Sequence, residues 1–186
     1  ADEGVLVSDR AVGGSDTWTT SNAVAAAIRK IGEFDLIFAG RQAIDGDTAQ
    51  VGPQIAEKMD LPQVTYVQEF EIEKDMKSIT VKRALEDGYE VIKIKTPCML
   101  TAIKELNAPR YMTIGGIFSA NEKPIHVWNA NDIAIDLDTV GLEASPTNVF
   151  RSFTPAPKGK GVILEGDTEK EVAEKLLIGL KGKHVV

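Results

Sequence analysis

At 186 residues and 43% hydrophobic side chains, the chain is long enough to bury a core, which removes roughly two-thirds of its unfolded surface from water. A net charge of −7, a pI near 4.9 and the lack of any dense Lys/Arg cluster argue against a nucleic-acid face and against an anionic membrane surface. One cysteine, Cys98, leaves no internal disulfide and no Cys/His zinc cluster, which fits a reducing, cytoplasmic setting. No apolar run reaches the roughly 20 residues of a membrane span, so neither membrane insertion nor a signal peptide is expected.

The chain opens ADEGVLVSD, with no Met and almost no lead-in, and reads as a start inside a domain. GVLV (4–7) predicts a buried strand, and the loop SDRAVGGSDTWTT follows it. In SNAVAAAIRKIG, Val24, Ala27, Ile28 and Ile31 recur at spacings of three and four, one face of a helix that Gly32 stops. FDLIFAG (34–40) predicts a second buried strand. Val51, Ile55 and Met59 mark a second helix ending before Leu61-Pro62, and QVTYV a third strand. This alternation predicts a parallel sheet with covering helices, and places the two polar Gly-rich loops, 8–20 and 40–50, on one rim at strand ends.

From 67 to 95 apolar and charged residues alternate around Glu86-Asp87-Gly88, which predicts an antiparallel hairpin with one wet face. CMLTAI (98–103) predicts another buried strand. NAPRYMTIGGIF (107–118) runs from a Pro break into a short helix or loop. From 121 onward the periodicity thins, apart from a VILEG strand, and the segment reads as an extended arm that packs on another chain. Thr168 and Glu171 form a capping box, and Val172, Leu176 and Leu180 an apolar stripe, so 168–181 is an amphipathic helix. The division expected is 1–120, a nucleotide-binding domain, and 121–186, the arm and its helix.

The loop GRQAIDGDTAQVGP has the form strand, Gly-containing turn, helix start. Backbone N–H groups at a helix N-terminus and the helix dipole suit a phosphate, with Thr48 and Gln50 as further donors and Gly46 allowing close approach. It lacks GK[ST] and GxGxxG. An ordinary turn with Asp47 capping the helix fits the letters equally well. Asp45 and Asp47 have the i, i+2 spacing of a calcium loop, but no Glu follows at the required distance. In the first loop, Asp9 and Arg10 are candidates for ligand contact, against plain helix capping. His126 and His184 read as surface residues and Cys98 as a core thiol, so no catalytic residue is assigned, and redox chemistry would need a bound cofactor. Met112, Ile114 and Ile117, beside Gly115-Gly116, suit either a partner-docking tip or core packing.

Four segments, ADEGVLVSDRAVGGSDTWTTS, GRQAIDGDTAQVGPQIAEKMDLPQVTYV, ELNAPRYMTIGGIF and TPAPKGKG, together resemble the beta subunit of electron-transfer flavoproteins. They stand in the family's order and span nearly the whole chain. The resemblance implies an α/β fold with helices on both faces of a parallel sheet, adenine nucleotide α-hydrolase-like (Rossmann-like), plus a β-hairpin and a C-terminal arm ending in a helix. It implies further residues before Ala1 that carry the first strands, so that this chain would be a fragment. Gly46 and Ala49 stand where ordinary members tend to have an acidic residue and Asn, which resembles the electron-bifurcating type.

That resemblance implies FAD in the beta subunit, with AMP as the alternative in an ordinary member. It implies an alpha subunit as partner, NADH as hydride donor, ferredoxin or flavodoxin as one acceptor, and an acyl-CoA dehydrogenase-type partner as the other. Carried over, Gly40, Arg41, Gln42, Ala43, Ile44, Asp45, Gly46, Asp47, Thr48, Ala49, Gln50 and Val51 form the diphosphate/AMP site. Tyr111, Met112 and Ile114 fall in the docking loop, with Ile114 at its anchor position. A nucleotide-binding regulatory domain with no redox role remains the reading from another class.

Overall fold

Asp16 starts the first helix. Its carboxylate accepts a hydrogen bond from the Thr19 N–H at 3.1 Å, and α1 (Thr17–Ile31) runs from there to Gly32, whose φ of 99° suits glycine alone. The structure, a computed structural model, describes all 186 residues. They divide into two units, Ala1–Val149 and Phe150–Val186. The first holds β1 (Gly4–Val7), β2 (Leu36–Gly40), α2 (Val51–Lys58), β3 (Gln63–Ile72), β4 (Ser78–Leu85), β5 (Gly88–Lys95), β6 (Cys98–Ala102), α3 (Ile114–Ala120), β7 (Ile125–Trp128) and α4 (Gly141–Ala144). The second holds α5 (Glu169–Gly182).

The main sheet has the order β2-β6-β3-β4-β5. β2, β6 and β3 are parallel, and β3, β4 and β5 continue antiparallel. The α/β class therefore holds, with a mixed sheet. The hairpin closes at Glu86-Asp87, with Leu85 paired to Gly88. Strand period two sorts the parallel strands into two faces. Ile37, Ala39 and Met99 pack with Ala25, Ile55 and Ala56, so α1 and α2 share one face. Leu36, Cys98 and Leu100 face the other way and pack with Val64, Val67, Ile79, Val81 and Ile94, where the antiparallel strands and Leu106 close the core.

β1 departs from the expected single sheet. It pairs in parallel with β7, Gly4 opposite Ile125 through Val7 opposite Trp128. The segment after 120, expected as an arm, thus contributes a strand. IHVW is rich in β-branched and aromatic residues, and the edge of β1 satisfies its backbone groups. The same segment is tied back further on. The Gly141 N–H donates to Ser15 Oγ at 3.1 Å, and Gly141 itself (φ 77°) lies so close to the Ala11 carbonyl that a Cβ would stand 2.3 Å from that oxygen. The compact unit therefore extends to Val149, beyond the boundary expected at 120.

In the second unit, VILEG forms no strand. Val162 and Ile163 are both 85% exposed, and no neighbouring strand takes up their backbone groups. The α5 helix has its capping box. Thr168 Oγ1 accepts from the Glu171 N–H, and Glu171 Oε2 from the Asp167 N–H. Within α5 no residue is buried, so its apolar stripe is open.

Gly52 sets how closely α2 approaches the sheet. A Cβ there would stand 2.6 Å from Thr101 Cγ2 on β6 and 3.6 Å from both Ala39 Cβ and Met99 Cε. Gly52→Ala is expected to lower stability by about 1–3 kcal/mol in urea unfolding, and adding Thr101→Ser, which removes the clashing methyl, to recover part of the loss. A Gly52→Ala variant as stable as the parent would show that α2 does not sit this tightly.

Candidate functional site

The segment 40–50 leaves the C-terminal end of β2 and feeds α2. The Arg41 N–H still pairs with the Ala102 carbonyl at 3.1 Å, and the chain then folds into one turn closed by the Asp47 N–H on the Ala43 carbonyl at 3.0 Å. Gln42 Nε2 donates to Asp47 Oδ1 across this turn. Asp47 and Ala49 both adopt left-handed backbone, φ 53° and 54°. For Ala49, which has no side-chain group to bond its own backbone, that conformation costs about 1–2 kcal/mol. The glycine of the turn, Gly46, is not at a left-handed position, and a Cβ there would meet nothing within 4 Å.

Asp47 is thus committed to Gln42 and does not cap α2. The N-cap is Gln50, which makes no side-chain cap bond to the helix; its Oε1 instead accepts from Thr17 Oγ1 at 2.8 Å. The first N–H groups of a helix have no partner within it, and here Val51 and Gly52 present theirs while Pro53 has none. An uncapped helix start leaves backbone donors without a protein partner, which suits an anion. Arg41 and Asp45, a cation and an acid of the same loop, are both exposed. No group of three or more His, Cys, Asp or Glu side chains is placed to hold a metal ion.

The first loop reaches the same rim, since the Thr17–Gln50 bond joins the start of α1 to the start of α2. Its acids, however, are engaged by the protein. Asp9 accepts from the Ala11 N–H (2.9 Å) and the Ala130 N–H (3.0 Å). Asp16 takes the Thr147 N–H (3.0 Å) and Oγ1 (2.9 Å) in addition to Thr19. Both carboxyls are held below their ordinary value. For Asp9 the Ala11 and Ala130 N–H groups are the main cause. For Asp16 burial opposes, and the Thr19 and Thr147 hydrogen bonds together prevail. Arg10 lies exposed beside Asp9.

Next to Arg41 the rim opens into a cleft of about 870 Å³ lined by Ile44, Tyr66, Arg83, Ala102 and Lys104 among others. Tyr66 sits in a bulge of β3, where between the pairs Val64–Leu100 and Val67–Ala102 two residues, Thr65 and Tyr66, stand opposite one of β6, Thr101. Its φ is 58°, its N–H is diverted to Thr101 Oγ1 at 3.2 Å, and the Arg41 guanidinium lies 5.5 Å from its ring centre. Elsewhere Cys98 is fully buried, and burial pushes its thiol up, as suits a core residue. His126 is exposed, 3.1 Å from Glu3. Around α3 the apolar residues face outward: Tyr111 is 99% exposed, Met112 82% and Ile114 77%. Ile117 is 47% exposed, so Met112, Ile114 and Ile117, for which core packing was one of two open readings, are not buried in this chain.

Residues 1–133 match the family model described as the electron transfer flavoprotein domain. The chain belongs to the electron transfer flavoprotein family. Over all of its length it is 56% identical to the caffeyl-CoA reductase-Etf complex subunit CarD of Acetobacterium woodii and 50% identical to the electron transfer flavoprotein subunit beta of Clostridium acetobutylicum, covering 70% of each. It is also 52% identical to the acryloyl-CoA reductase electron transfer subunit gamma of Anaerotignum propionicum, covering 71% of that protein. The 40–51 loop and the 111–118 tip both lie inside the region that matches the electron transfer flavoprotein domain.

Sequence reasoning missed Tyr66, Arg83 and Lys104. Read as a regular strand, QVTYV points Tyr66 to the same side as Val64, and only the bulge turns it to the cleft. Nothing in the letters marks a left-handed tyrosine. The lowered carboxyls give a test of the rim itself. A depressed acid stabilises the fold above its unfolded value, about 3.8, and that contribution disappears as pH falls through the lower folded value. Stability is expected to fall below that pH, and Asp16→Asn to give a shallower acid slope in urea unfolding; an unchanged slope would show that Asp16 does not hold 145–147 against α1.

Proposed function

We propose that this chain is the beta-type subunit of an electron-bifurcating flavoprotein and that the 40–51 loop takes the diphosphate of FAD. The uncapped start of α2 carries this reading. The protein offers Val51 and Gly52 N–H groups at a helix N-terminus and holds Ala49 left-handed to do so, while the one nearby acid able to cap, Asp47, is tied to Gln42. That donor set fits a phosphate oxygen and not a metal. Gly46 supports FAD over AMP by the same logic: the fold itself leaves room for a side chain there, so a glycine matters toward a bound group, as the residue adding neither bulk nor charge beside a diphosphate.

When bound, FAD supplies acceptance of a hydride (two electrons and a proton) from NADH and release of the electrons singly, one to ferredoxin or flavodoxin and one to the alpha-subunit FAD. This chain's own residues bind and orient. Val51 and Gly52 donate to the diphosphate, Gln50 fixes the start of α2 through Thr17, and Arg41 offsets the phosphate charge. The names of two relatives, a caffeyl-CoA reductase complex subunit and an acryloyl-CoA reductase electron transfer subunit, support an acyl-CoA dehydrogenase-type partner for the outgoing electron. The open stripe of α5 and the exposed residues of 150–186 support an alpha-subunit contact, and Ile114 with Tyr111 and Met112 supports docking of the dehydrogenase.

Two measurements test this. The purified complex of the full-length protein with its alpha subunit is expected to contain two FAD; one FAD and one AMP would leave an ordinary electron-transfer flavoprotein, and no flavin at all would point to the non-redox reading. Ile114→Ala is expected to slow electron delivery to the dehydrogenase about tenfold while NADH oxidation by the complex is unchanged, since a buried apolar anchor contributes about 1–3 kcal/mol. Equal loss in both assays would count against docking.

A further inference from the structure

We infer that the chain carries a second ligand site, which takes a small zwitterion of the apolar α-amino acid class. The site is a cleft of about 490 Å³ between one stripe of α1, the end of α2 and the 134–144 segment. That volume is within the range of ligand sites. The cleft shares no residue with the 40–51 loop or with the cleft beside that loop, so the inference stands apart from the proposed flavin chemistry.

Charge carries the inference. Trp18, Asn22, Ala26 and Arg29 recur along α1 at spacings of four, four and three, and so fall on one helix face. Arg29 of that face and Lys58 at the end of α2 are the cations of the cleft; Asp136 and Asp138 of the facing segment are its acids. Opposite charges in one small cleft attract strongly at short range, and pairing is the ordinary outcome. Here none of the four forms an ion pair, with one another or with any other residue. Lys58 is half-buried with its Nζ 3.2 Å from the centre of the Trp18 ring, and burial pushes its ammonium below the ordinary value, as befits a cation with no anion beside it. Arg29 gives one guanidinium nitrogen to the Lys58 carbonyl and keeps its remaining donors.

The acceptors are as uncommitted as the donors. Asp136 Oδ1 takes the Asp138 N–H at 3.0 Å, which leaves Oδ2, and the Asp138 carboxylate accepts no hydrogen bond within the protein. The Asn22 amide donates to the Thr139 carbonyl at 2.8 Å, which leaves Asn22 Oδ1 to accept. A simple anion would suit Arg29 and Lys58 but be repelled by the acids, and a simple cation would meet the reverse. A molecule bearing one carboxylate and one ammonium satisfies both sets with charge-assisted hydrogen bonds. The rest of the lining is largely apolar, with Ala26, Ile135, Ala144 and the exposed ring of Trp18, which suits an aliphatic side chain on that molecule. Ala134, two residues before Asp136, is held at φ 48°, a left-handed conformation that strains alanine and that clusters at ligand clamps.

The test uses the full-length protein in complex with its alpha subunit and follows binding by ligand-observed saturation-transfer NMR. Three probes share one aliphatic tail: L-leucine, isocaproate, which lacks the ammonium, and isoamylamine, which lacks the carboxylate. L-Leucine is expected to bind saturably, and each single-charge probe about tenfold more weakly or not at all. Lys58→Met keeps the aliphatic stem over Trp18, and Asp136→Asn keeps the oxygen that accepts from the Asp138 N–H, so both variants are expected to fold like the parent. Each should lower the affinity for L-leucine about tenfold. A single-charge probe that binds as tightly as L-leucine, an affinity for L-leucine unchanged in either variant, or no saturable binding of L-leucine to the parent overturns the zwitterion site.

Discussion

The site depends on one close contact, Gly52 against Thr101. Because residue 52 has no side chain, α2 lies against β6 and β2 with Ile55 and Ala56 on Met99. That depth sets where the first turn of α2 ends up. Its start is joined to α1 through the Thr17–Gln50 bond, and the loop before it leaves β2 at Arg41, whose N–H pairs with the Ala102 carbonyl. Were α2 lifted by the width of a methyl group, the Thr17–Gln50 bond would be strained. Packing in the core and the position of the helix start at the rim are the same constraint seen from two ends of one helix.

The acids of the rim are divided by what they hold. Asp9 and Asp16 spend their oxygens on Ala11, Ala130, Thr19 and Thr147, and in doing so sew the 129–147 segment onto the first loop. Asp47 is drawn to Gln42. With these three committed, α2 keeps its start uncapped. A phosphate bound here as proposed would meet backbone dipoles and Arg41, rather than a wall of carboxylates, even in a chain with a net charge of −7. The neighbouring cleft extends this arrangement, since Arg41 serves the loop on one side and Tyr66 on the other.

Much of the fold was legible in the letters. The spacing of Val24, Ala27, Ile28 and Ile31 marked α1, Gly32 its end, LIFAG and CMLTA two of the parallel strands, and Thr168 with Glu171 the start of α5. What was not legible was tertiary. Which strand pairs with GVLV is decided by where IHVW arrives, over a hundred residues away, and no local pattern announces it. VILEG has strand composition but no partner edge. At the site, the sequence left GRQAIDGDTAQVGP open between a phosphate cradle and a capped turn, because only coordinates show that Asp47 turns to Gln42. The letters single out Gly46 for close approach to a phosphate, yet the left-handed positions are Asp47, Ala49 and, across the cleft, Tyr66.

The most direct measurement is a crystal structure of the complete alpha–beta complex with FAD bound. Diphosphate oxygens at hydrogen-bond distance, about 2.9 Å, from the Val51 and Gly52 nitrogens are the expected result. A diphosphate bound elsewhere, with the start of α2 left to solvent, would contradict it.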